Sequence, residues 1–395
     1  MEHFYLSLPV SFPVVFCAAW DILGTMKVLI ATDSFKGTLT PAQASETIGR
    51  AIAEVLPSAS VTLAPVSDGG DGFLSVLSPW LGLSPFSLSS LDPSSRPITI
   101  TVGINRERKV AVVESASAVG FQFLPDAPPL LQRTTVGLGM VLKTLHEQFP
   151  GFAIYLAAGG TITMDGGLGL VSALGLDPLD IAGRVLEATA LNMNSVCAFA
   201  ARHPFSADEF SGGTLLVDVD NYLLGQKGAA VVFGPQKGAT AGQVQLLGEA
   251  YEGLMAAVSG YTGRAVIDEP GLGAAGGLGL MLTQVLGYRM RSGAEFLLLA
   301  MGFDDLLRSH DLVITGEGRF DEQSLQGKIT GRVVKKAKEA GTPLVVFSGT
   351  ADPSMELEHG DLVVLSHGEP GNMGVSRARA VLYNGARTFF KRVFC

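Results

Sequence analysis

Short apolar runs alternate with polar, glycine-rich loops and amphipathic segments along most of the chain. Val28–Ala31 is such a run, and it is typical of a central strand that is buried on both faces. The polar loop Asp33–Gly37 follows it. Thr40 and Gln43 then form a capping box, which predicts the start of a helix that continues to about residue 56. The pattern therefore predicts a strand, a loop and a helix in close succession.

The strand–helix alternation returns near the C-terminus, whereas the middle of the chain differs. Apolar strands with helices between them are predicted at 312–315, 344–348 and 362–365. Residues 97–114 instead alternate around a polar turn, which predicts an antiparallel hairpin. We therefore predict an α/β protein in which a mixed α/β domain is inserted into a discontinuous parallel-sheet domain. The predicted bounds are 26–85 and 285–395 for the parallel-sheet domain and 86–284 for the inserted domain.

The first 25 residues lie outside this organisation. Phe4–Leu23 is apolar, but prolines and serines interrupt it and no Lys or Arg precedes Lys27. A secretory signal has a positive n-region, and a membrane helix has about 20 nearly uninterrupted apolar residues. We therefore predict that residues 1–25 are an extension without an assigned role, with a signal or membrane anchor as the alternative.

Composition and charge exclude several classes of protein. Apolar residues make up 47% of the 395 residues and charged residues 16%, which indicates a globular protein with buried cores. The formal net charge of −9 argues against a nucleic-acid surface. The three cysteines are widely spaced and form no disulfide or zinc pattern, so we predict a reducing, cytoplasmic location.

The loop after the first predicted strand carries the first candidate site. Asp33, Ser34 and Lys36 place a carboxylate, a hydroxyl and an ammonium group where parallel sheets bind ligands. The second predicted strand ends in a loop that contains Asp68, Gly69 and Gly70. Consecutive parallel strands lie side by side, so we expect the two loops to be neighbours that bind a small anion. Alternatively, the first loop only caps a turn and its lysine is solvated.

Glycine loops at other predicted strand ends are suited to phosphate. The longest precedes a predicted helix, so its backbone N–H groups and the positive helix end favour an anion. Its candidate ligands are Gly159, Gly160, Thr161, Thr163 and Gly166. Asp165 in the same loop either binds a metal or caps the helix. Lys237 precedes a further helix start and is also suited to phosphate.

Two further groups of charged residues follow predicted strands. Asp218 and Asp220 are predicted at the end of a strand, where residues i and i+2 face the same side and would both reach a Mg²⁺ ion. The alternative is an ordinary turn. Glu317, Arg319 and Asp321 follow the strand predicted at 312–315 and would complete a polar cleft beside the first loop.

Two known nucleotide-binding motifs bear on the remaining glycine-rich segments. The P-loop pattern is absent, because Gly327-Lys328 is followed by Ile329. Gly271–Gly276 matches the dinucleotide fingerprint, but no proper strand precedes it. We therefore predict a glycine-lined helix packed against a neighbour there, with an NAD site as the alternative.

Taken together, these motifs resemble those of the bacterial-type glycerate kinase family. In chain order from about Met26 they read DSFKGTLTPAQASETI, SDGGDG, GGTITMDGG, DVDN, GPQKGAT, GAAGGLG and ITGEGRFDEQSLQGK. The resemblance implies a Rossmann-like domain interrupted by a mixed α/β domain. It also implies transfer of the γ-phosphoryl group of ATP to D-glycerate with Mg²⁺, usually giving 2-phosphoglycerate.

We assign roles to the candidate residues as a hypothesis based on this resemblance. Catalysis is assigned to Asp33, Lys36, Asp218 and Arg319. Glycerate binding is assigned to Ser34, Asp68, Gly69, Gly70, Glu317 and Asp321. ATP binding is assigned to Lys237 and the five candidate ligands of the 159–166 loop, and Mg²⁺ binding to Asp165 and Asp220.

The chain departs from the family in one loop, which usually reads GGSATNDGG. Met164 stands where the family has Asn, and it cannot hydrogen-bond like an amide, so a ligand or loop contact would be lost there.

Two other functions remain as alternatives: a glycerate 3-kinase giving 3-phosphoglycerate, and a non-catalytic protein that binds glycerate or a nucleotide. The sequence leaves the oligomeric state open, with a homodimer as one option.

Overall fold

The computed structural model describes residues 25–70, 72–202, 210, 212–325, 327–365 and 373–394. Apart from Thr25, the predicted N-terminal extension lies outside the described residues. The strands in the described ranges are β1 (Lys27–Thr32), β2 (Ser60–Leu63), β3 (Ser84–Leu91), β4 (Pro97–Asn105), β5 (Val110–Glu114), β6 (Ala153–Ala157), β7 (Leu176–Leu179), β8 (Ala198–Ala201), β9 (Thr214–Val217), β10 (Arg289–Ser292), β11 (Leu312–Phe320), β12 (Leu344–Ala351) and β13 (Asp361–Val364).

Helices of very different length connect these strands. The α-helices in the described ranges are α1 (Pro41–Val55), α2 (Phe73–Leu81), α3 (Ser115–Val119), α4 (Val136–Gln148), α5 (Leu168–Ala173), α6 (Ala229–Phe233), α7 (Ala241–Thr262), α8 (Ala274–Leu280), α9 (Gly293–Ala300), α10 (Phe303–Ser309), α11 (Glu322–Leu325), α12 (Ile329–Ala340) and α13 (Val375–Phe394). Among the described helices, none has the length and apolar character that crossing a bilayer requires.

The chain folds into two compact units, and the α/β fold class is confirmed. The first unit contains the residues up to Asp68 and those from Ala294 onward. Its five strands form a parallel sheet in the order β13-β12-β11-β1-β2. Val28–Ala31 in β1 is fully buried, as predicted for a central strand. The predicted capping box is also present: Gln43 N donates to Thr40 Oγ1, and Thr40 N donates to Gln43 Oε1.

The second unit, Gly69–Gly293, is built on a mixed sheet. Its six strands have the order β10-β9-β6-β5-β4-β3, in which β3–β4 and β4–β5 pair antiparallel and the remaining neighbours pair parallel. The β4–β5 pair is the hairpin predicted from the alternating pattern. β7 and β8 form a separate antiparallel ribbon.

The bounds of the units differ from the predicted domain bounds. Residues 69–85 and 285–293 were placed in the parallel-sheet domain, but they belong to the second unit. Leu74 N in α2 donates to Glu114 Oε1 at 2.7 Å, and β10 pairs with β9. The pattern missed β3 because it is a Ser- and Pro-rich edge strand with several exposed side chains, and it missed β10 because that strand has only four residues.

The Gly271–Gly276 segment forms no dinucleotide-binding turn after a strand, and it begins the tightly packed helix α8. Gly276 has a φ of +73°, and a Cβ atom there would lie 2.0 Å from the carbonyl oxygen of Thr163. Only glycine allows this conformation and this approach. The predicted close packing against a neighbour is present, but Ala275, Gly276 and Gly277 have positive φ, so this segment is not a regular helix.

Candidate active site

A cavity of about 240 Å³ lies at the carboxyl ends of the parallel strands of the first unit. Its polar wall contains the charged and hydroxyl side chains of Asp33, Ser34, Lys36, Thr38, Asp68, Glu317, Arg319, Asp321, Lys328 and Thr350. Its apolar wall contains Leu365, Met373, Ala378, Val381 and Leu382. The structure therefore brings together seven residues that the sequence proposed for catalysis or glycerate binding, and it confirms that the first two loops are neighbours.

The pairing of β1 with β11 determines how the polar wall is built. Thr32 is in register with Gly316, and Asp33 N donates to Gly316 O at 2.9 Å. Asp33 and Glu317 therefore follow paired residues on neighbouring strands, whose backbones lie about 4.8 Å apart. β11 continues to Phe320 instead of ending at Thr315 as predicted. Glu317 and Arg319 are consequently strand residues with i, i+2 spacing, which places both at the cavity.

Asp33 is a buried carboxyl group, 6% exposed. Burial raises its pKa to about 8, and the nearby charges of Asp68 and Glu317 contribute to the rise. The backbone N–H of Ser34, 2.6 Å from Asp33 Oδ1, and the charge of Lys36 act in the opposite direction. Burial therefore favours the protonated form of Asp33 more than it would for an exposed carboxyl group.

Glu317 is also buried, at 7% exposure, and burial raises its pKa. The hydroxyl group of Ser324, the charge of Lys328 and the hydroxyl group of Thr330 partly oppose this shift. Among the described residues, Glu317 Oε1 has no hydrogen-bond partner. Glu317 therefore contributes a buried carboxyl group to the wall of the cavity.

Among the described residues, the ion pairs formed by the cationic side chains at the cavity are loose. Arg319 Nε lies 3.5 Å from Asp321 Oδ2, and the Arg319 side chain is 61% exposed. Lys328 Nζ lies 3.9 Å from Asp321 Oδ1. Lys36 is exposed at the same cavity. Such partly solvated pairs are weak, so these cations can turn toward an anionic ligand.

Buried cationic side chains donate hydrogen bonds to the predicted ATP-binding loop of the second unit. Lys237 is 3% exposed, and its Nζ donates to Thr161 Oγ1 at 3.2 Å and to Thr163 O at 3.0 Å. Burial lowers the pKa of Lys237 to about 7. Arg133 Nη1 donates to Ile162 O at 3.1 Å. Thr161, Thr163 and Gly166 are buried as well, so only Gly159 and Gly160 of the predicted ATP ligands in this loop are partly exposed.

Asp165 has the geometry of a capping residue. Its Oδ2 accepts from Thr135 N and Oγ1, both at 2.8 Å, and from Gly169 N at 3.2 Å. Its Oδ1 accepts from Gly167 N at 3.3 Å. The side chain is 1% exposed, and burial raises its pKa. These contacts use both oxygens, so Asp165 does not fit the role of a Mg²⁺ ligand.

Asp218 and Asp220 do not share a strand face, because β9 ends at Val217. Asp218 Oδ1 accepts from Ser292 Oγ at 2.9 Å, whereas Asp220 is exposed. Within the described ranges, no three His, Cys, Asp or Glu side chains are grouped to hold a metal. The predicted sharing of one strand face by these two aspartates is therefore wrong, and Mg²⁺ binding by them stays a prediction.

Two of the predicted glycine loops meet in the second unit. A Cβ atom on Gly159 would lie 2.5 Å from Gly70 Cα and 2.6 Å from Gly69 O. A Cβ atom on Gly69 would lie 2.9 Å from Asp218 Oδ2. The structure therefore places Gly69 beside Asp218 and Gly159 beside Gly69 and Gly70, and a larger residue would not fit at Gly69 or Gly159.

Met164 does not face a ligand. Its side chain is fully buried in the apolar core of the second unit, and its carbonyl oxygen lies 3.0 Å from Tyr251 OH. The predicted loss of a ligand or loop contact, relative to the Asn that the family usually has here, stays a prediction.

Sequence reasoning missed the apolar wall of the cavity. Ala378, Val381 and Leu382 are spaced i, i+3 and i+4 on α13, which is the pattern of one helix face. That spacing was available in the sequence, but it identifies a buried face without showing that the face borders a ligand site.

A known protein family matches the chain over most of its length. The profile of the glycerate kinase family matches residues 28–369. The chain belongs to the glycerate kinase family. It is therefore a kinase, and the prediction of an enzyme is confirmed over a non-catalytic binding protein.

Two relatives and one solved structure illustrate the family. A glycerate kinase of Halalkalibacterium halodurans is 34% identical over 345 residues, covering 84% of this chain and 88% of the relative. A glycerate 2-kinase of Escherichia coli is 31% identical over 347 residues, covering 86% and 90%. A crystal structure described as a putative glycerate kinase 2 from Salmonella typhimurium LT2 has a TM-score of 0.76 at 27% identity, covering 94% of this chain and 97% of the other.

Proposed function

We propose that this protein transfers the γ-phosphoryl group of ATP to the 2-hydroxyl group of D-glycerate, giving 2-phosphoglycerate and ADP. One observation carries the proposal: a buried carboxyl group, Asp33, shares a cavity with the exposed cations Lys36 and Arg319. This set suits a small hydroxy acid, because it offers cations for the carboxylate and a proton acceptor for the hydroxyl group. The name of the Escherichia coli relative supports the 2-position.

In the proposed reaction, Lys36 and Arg319 hold the glycerate carboxylate. Asp33, in its ionised form, accepts the proton of the 2-hydroxyl group, whose oxygen forms a bond to the γ-phosphorus while the bond to the β-phosphate oxygen breaks. Burial raises the pKa of Asp33 to about 8, which makes its ionised form a stronger base than an ordinary carboxylate. Ser34, Asp68 and Asp321 line the same cavity and orient the acid.

For the nucleotide, we propose that the backbone around Gly159, Gly160, Gly69 and Gly70 accommodates the phosphates. Asp218 and Asp220 would hold Mg²⁺, which neutralises phosphate charge when it is bound. The remaining predicted ligands would stabilise the loop from its buried side without contacting ATP; they are Thr161, Thr163, Gly166, Asp165 and Lys237.

We further propose a cytoplasmic location from the cysteine pattern, and a homodimer stays a prediction.

A coupled ADP-release assay with ATP, Mg²⁺ and D-glycerate tests this proposal. Lys36→Ala and Asp33→Asn are each expected to lower kcat/KM by about 10²- to 10⁴-fold, the range for losing a positioned acid–base or charged group. Lys335→Ala on α12 is the control, because Lys335 is 77% exposed and pairs only loosely with Glu339. Near-wild-type turnover in Lys36→Ala and Asp33→Asn would remove these residues from the mechanism.

A further inference from the structure

We propose that the buried side chains of Lys237 and Arg133 supply the positive potential that attracts nucleotide phosphates to the 159–166 loop, although neither side chain contacts the ligand. This inference rests on the proposed function, which brings the phosphates to the backbone of Gly159 and Gly160. It adds the source of the attraction in a chain whose formal net charge is −9. Lys237 and Arg133 thereby act on the nucleotide through their charge, from the buried side of the loop.

The first observation is that both cations are buried against neutral oxygen atoms. Lys237 is 3% exposed, and its Nζ donates to Thr163 O at 3.0 Å and to Thr161 Oγ1 at 3.2 Å. Arg133 is 6% exposed, and its Nη1 donates to Ile162 O at 3.1 Å and to Lys237 O at 2.9 Å. Within the described ranges, all hydrogen bonds of these two cations go to carbonyl or hydroxyl oxygens, so direct contact with a carboxylate does not neutralise their charge.

The second observation is the balance of charge on the buried side of the loop. Asp165 is the acidic residue whose charge acts on Lys237, and both of its carboxyl oxygens already accept backbone N–H groups. Burial raises the pKa of Asp165, which favours its neutral form. Tyr251 donates to Met164 O of the same loop, and burial raises its pKa well above the ordinary value, so it stays neutral. With Lys237 protonated, two cations thus face one carboxyl group, and the buried side of the loop is net positive.

The third observation is how little separates Lys237 from the exposed backbone of the loop. Gly160 is partly exposed and directly precedes Thr161, whose hydroxyl group accepts from Lys237. A charge in the protein interior acts more strongly on a nearby anion than an exposed charge does, and salt screens it less. At an effective dielectric constant of about 20 and a separation of roughly 8–10 Å, one such charge changes the affinity for a singly charged anion by about 10- to 30-fold.

The pKa of Lys237 makes this attraction measurable through protons. Burial lowers that pKa to about 7, the charge of Asp165 opposes the shift, and the charge of Arg133 adds to it. An anion bound nearby stabilises the ammonium form and raises the pKa, so binding takes up a proton above about pH 7. By the same linkage, affinity is greatest below about pH 7 and falls as the pH rises. A lysine that served only as a hydrogen-bond donor would not take up a proton when the ligand binds.

Isothermal titration calorimetry of the full-length protein with ADP and Mg²⁺ tests the inference. At about pH 8, in buffers of different ionisation enthalpy, we expect the wild type to take up roughly half a proton per ADP bound. Lys237→Met and Lys237→Gln should both abolish this uptake, and at about pH 6.5 both should raise the Kd for ADP by about 10- to 30-fold. The two variants should agree although only Gln keeps a hydrogen-bond donor, because neither carries a charge. Lys335→Gln, at a 77% exposed side chain, is the control.

Asp33→Asn is titrated in parallel, because a bound anion also favours the protonated form of a buried carboxyl group. The proton uptake should persist in this variant, since the inference assigns it to Lys237.

Three results would overturn the inference. The first is ADP binding by the wild type without proton uptake, a measurement that needs no substituted protein. The second is a Lys237→Gln variant with the affinity of the wild type, which would make Lys237 a hydrogen-bond donor only. The third is loss of the uptake in Asp33→Asn, which would assign the proton to Asp33. Absence of any D-glycerate-dependent ADP release by the wild type would instead contradict the proposed function.

Discussion

The surroundings of Asp33 in the folded protein change the pKa of its carboxyl group. The fold buries its carboxyl group beside Asp68 and Glu317, which raises its pKa to about 8. Burial disfavours the ionised form of Asp33, so ionising this group in the folded protein costs stability. The sequence indicated that Asp33 lies at a strand end. It could not indicate the raised pKa, because burial and neighbouring charge arise only when β1 and β11 pair.

The stability of an Asp33→Asn variant should depend on pH in a defined way. The pKa of Asp33 rises from 3.8 to about 8 on folding, so its stabilising contribution is complete below about pH 4 and is lost as the pH rises to about 8. The free energy of unfolding of the wild type should therefore fall as the pH rises through this window, a loss that the neutral amide avoids.

Melting temperatures at about pH 5, 7 and 9 measure this effect. Asp33→Asn should gain over the wild type as the pH rises, by several degrees at the highest pH, while Glu339→Gln should show no such trend. A constant difference between Asp33→Asn and the wild type at all three pH values would contradict the proposed burial of Asp33.

At the scale of elements, the 161–167 loop is held by buried side chains from several helices and turns. Arg133, Lys237 and Tyr251 contact the carbonyl oxygens of Ile162, Thr163 and Met164, three consecutive residues. The sequence predicted this loop and the helix after it. It did not predict that Lys237 points inward, since a lysine before a helix start is equally suited to a phosphate, and only the packing of distant segments decides between the two.

Replacing glycine with alanine should change stability in opposite directions at two positions of the second unit. Gly276→Ala should destabilise the protein by about 2 kcal/mol or more, because the new Cβ atom would lie 2.0 Å from Thr163 O at a φ of +73°. Gly248 lies within α7, where an added Cβ atom would meet nothing within 4 Å, so Gly248→Ala should stabilise by roughly 0.5–1 kcal/mol. Urea unfolding of the two variants measures both effects. Equal effects would refute the packing described for α8.

At the scale of the whole molecule, the two units differ in how the chain builds them. The second unit is one continuous segment, whereas the first joins two segments through the pairing of β1 with β11. The alternation of strands and helices at both ends of the chain predicted this interruption. The bounds were displaced because an edge strand such as β3 and a four-residue strand such as β10 bury too few side chains to produce a clear pattern.

This organisation predicts different behaviour for isolated segments. Residues 69–293 contain a complete six-stranded sheet with its own apolar core and should fold alone with a cooperative thermal transition. Residues 26–68 contain β1 without β11 and should remain unfolded. Circular dichroism during heating distinguishes the two. An unfolded 69–293 segment would contradict the division into units.

Phosphorus NMR of the product tests the central claim most directly. The purified protein is incubated with ATP, Mg²⁺ and D-glycerate, in parallel with Asp33→Asn. We expect the wild type to produce a 2-phosphoglycerate resonance in proportion to ADP, and the variant to produce little or none in the same time. A product phosphorylated at the 3-position would contradict the proposed regiochemistry, and the absence of any glycerate-dependent phosphoester from the wild type would contradict the proposed function.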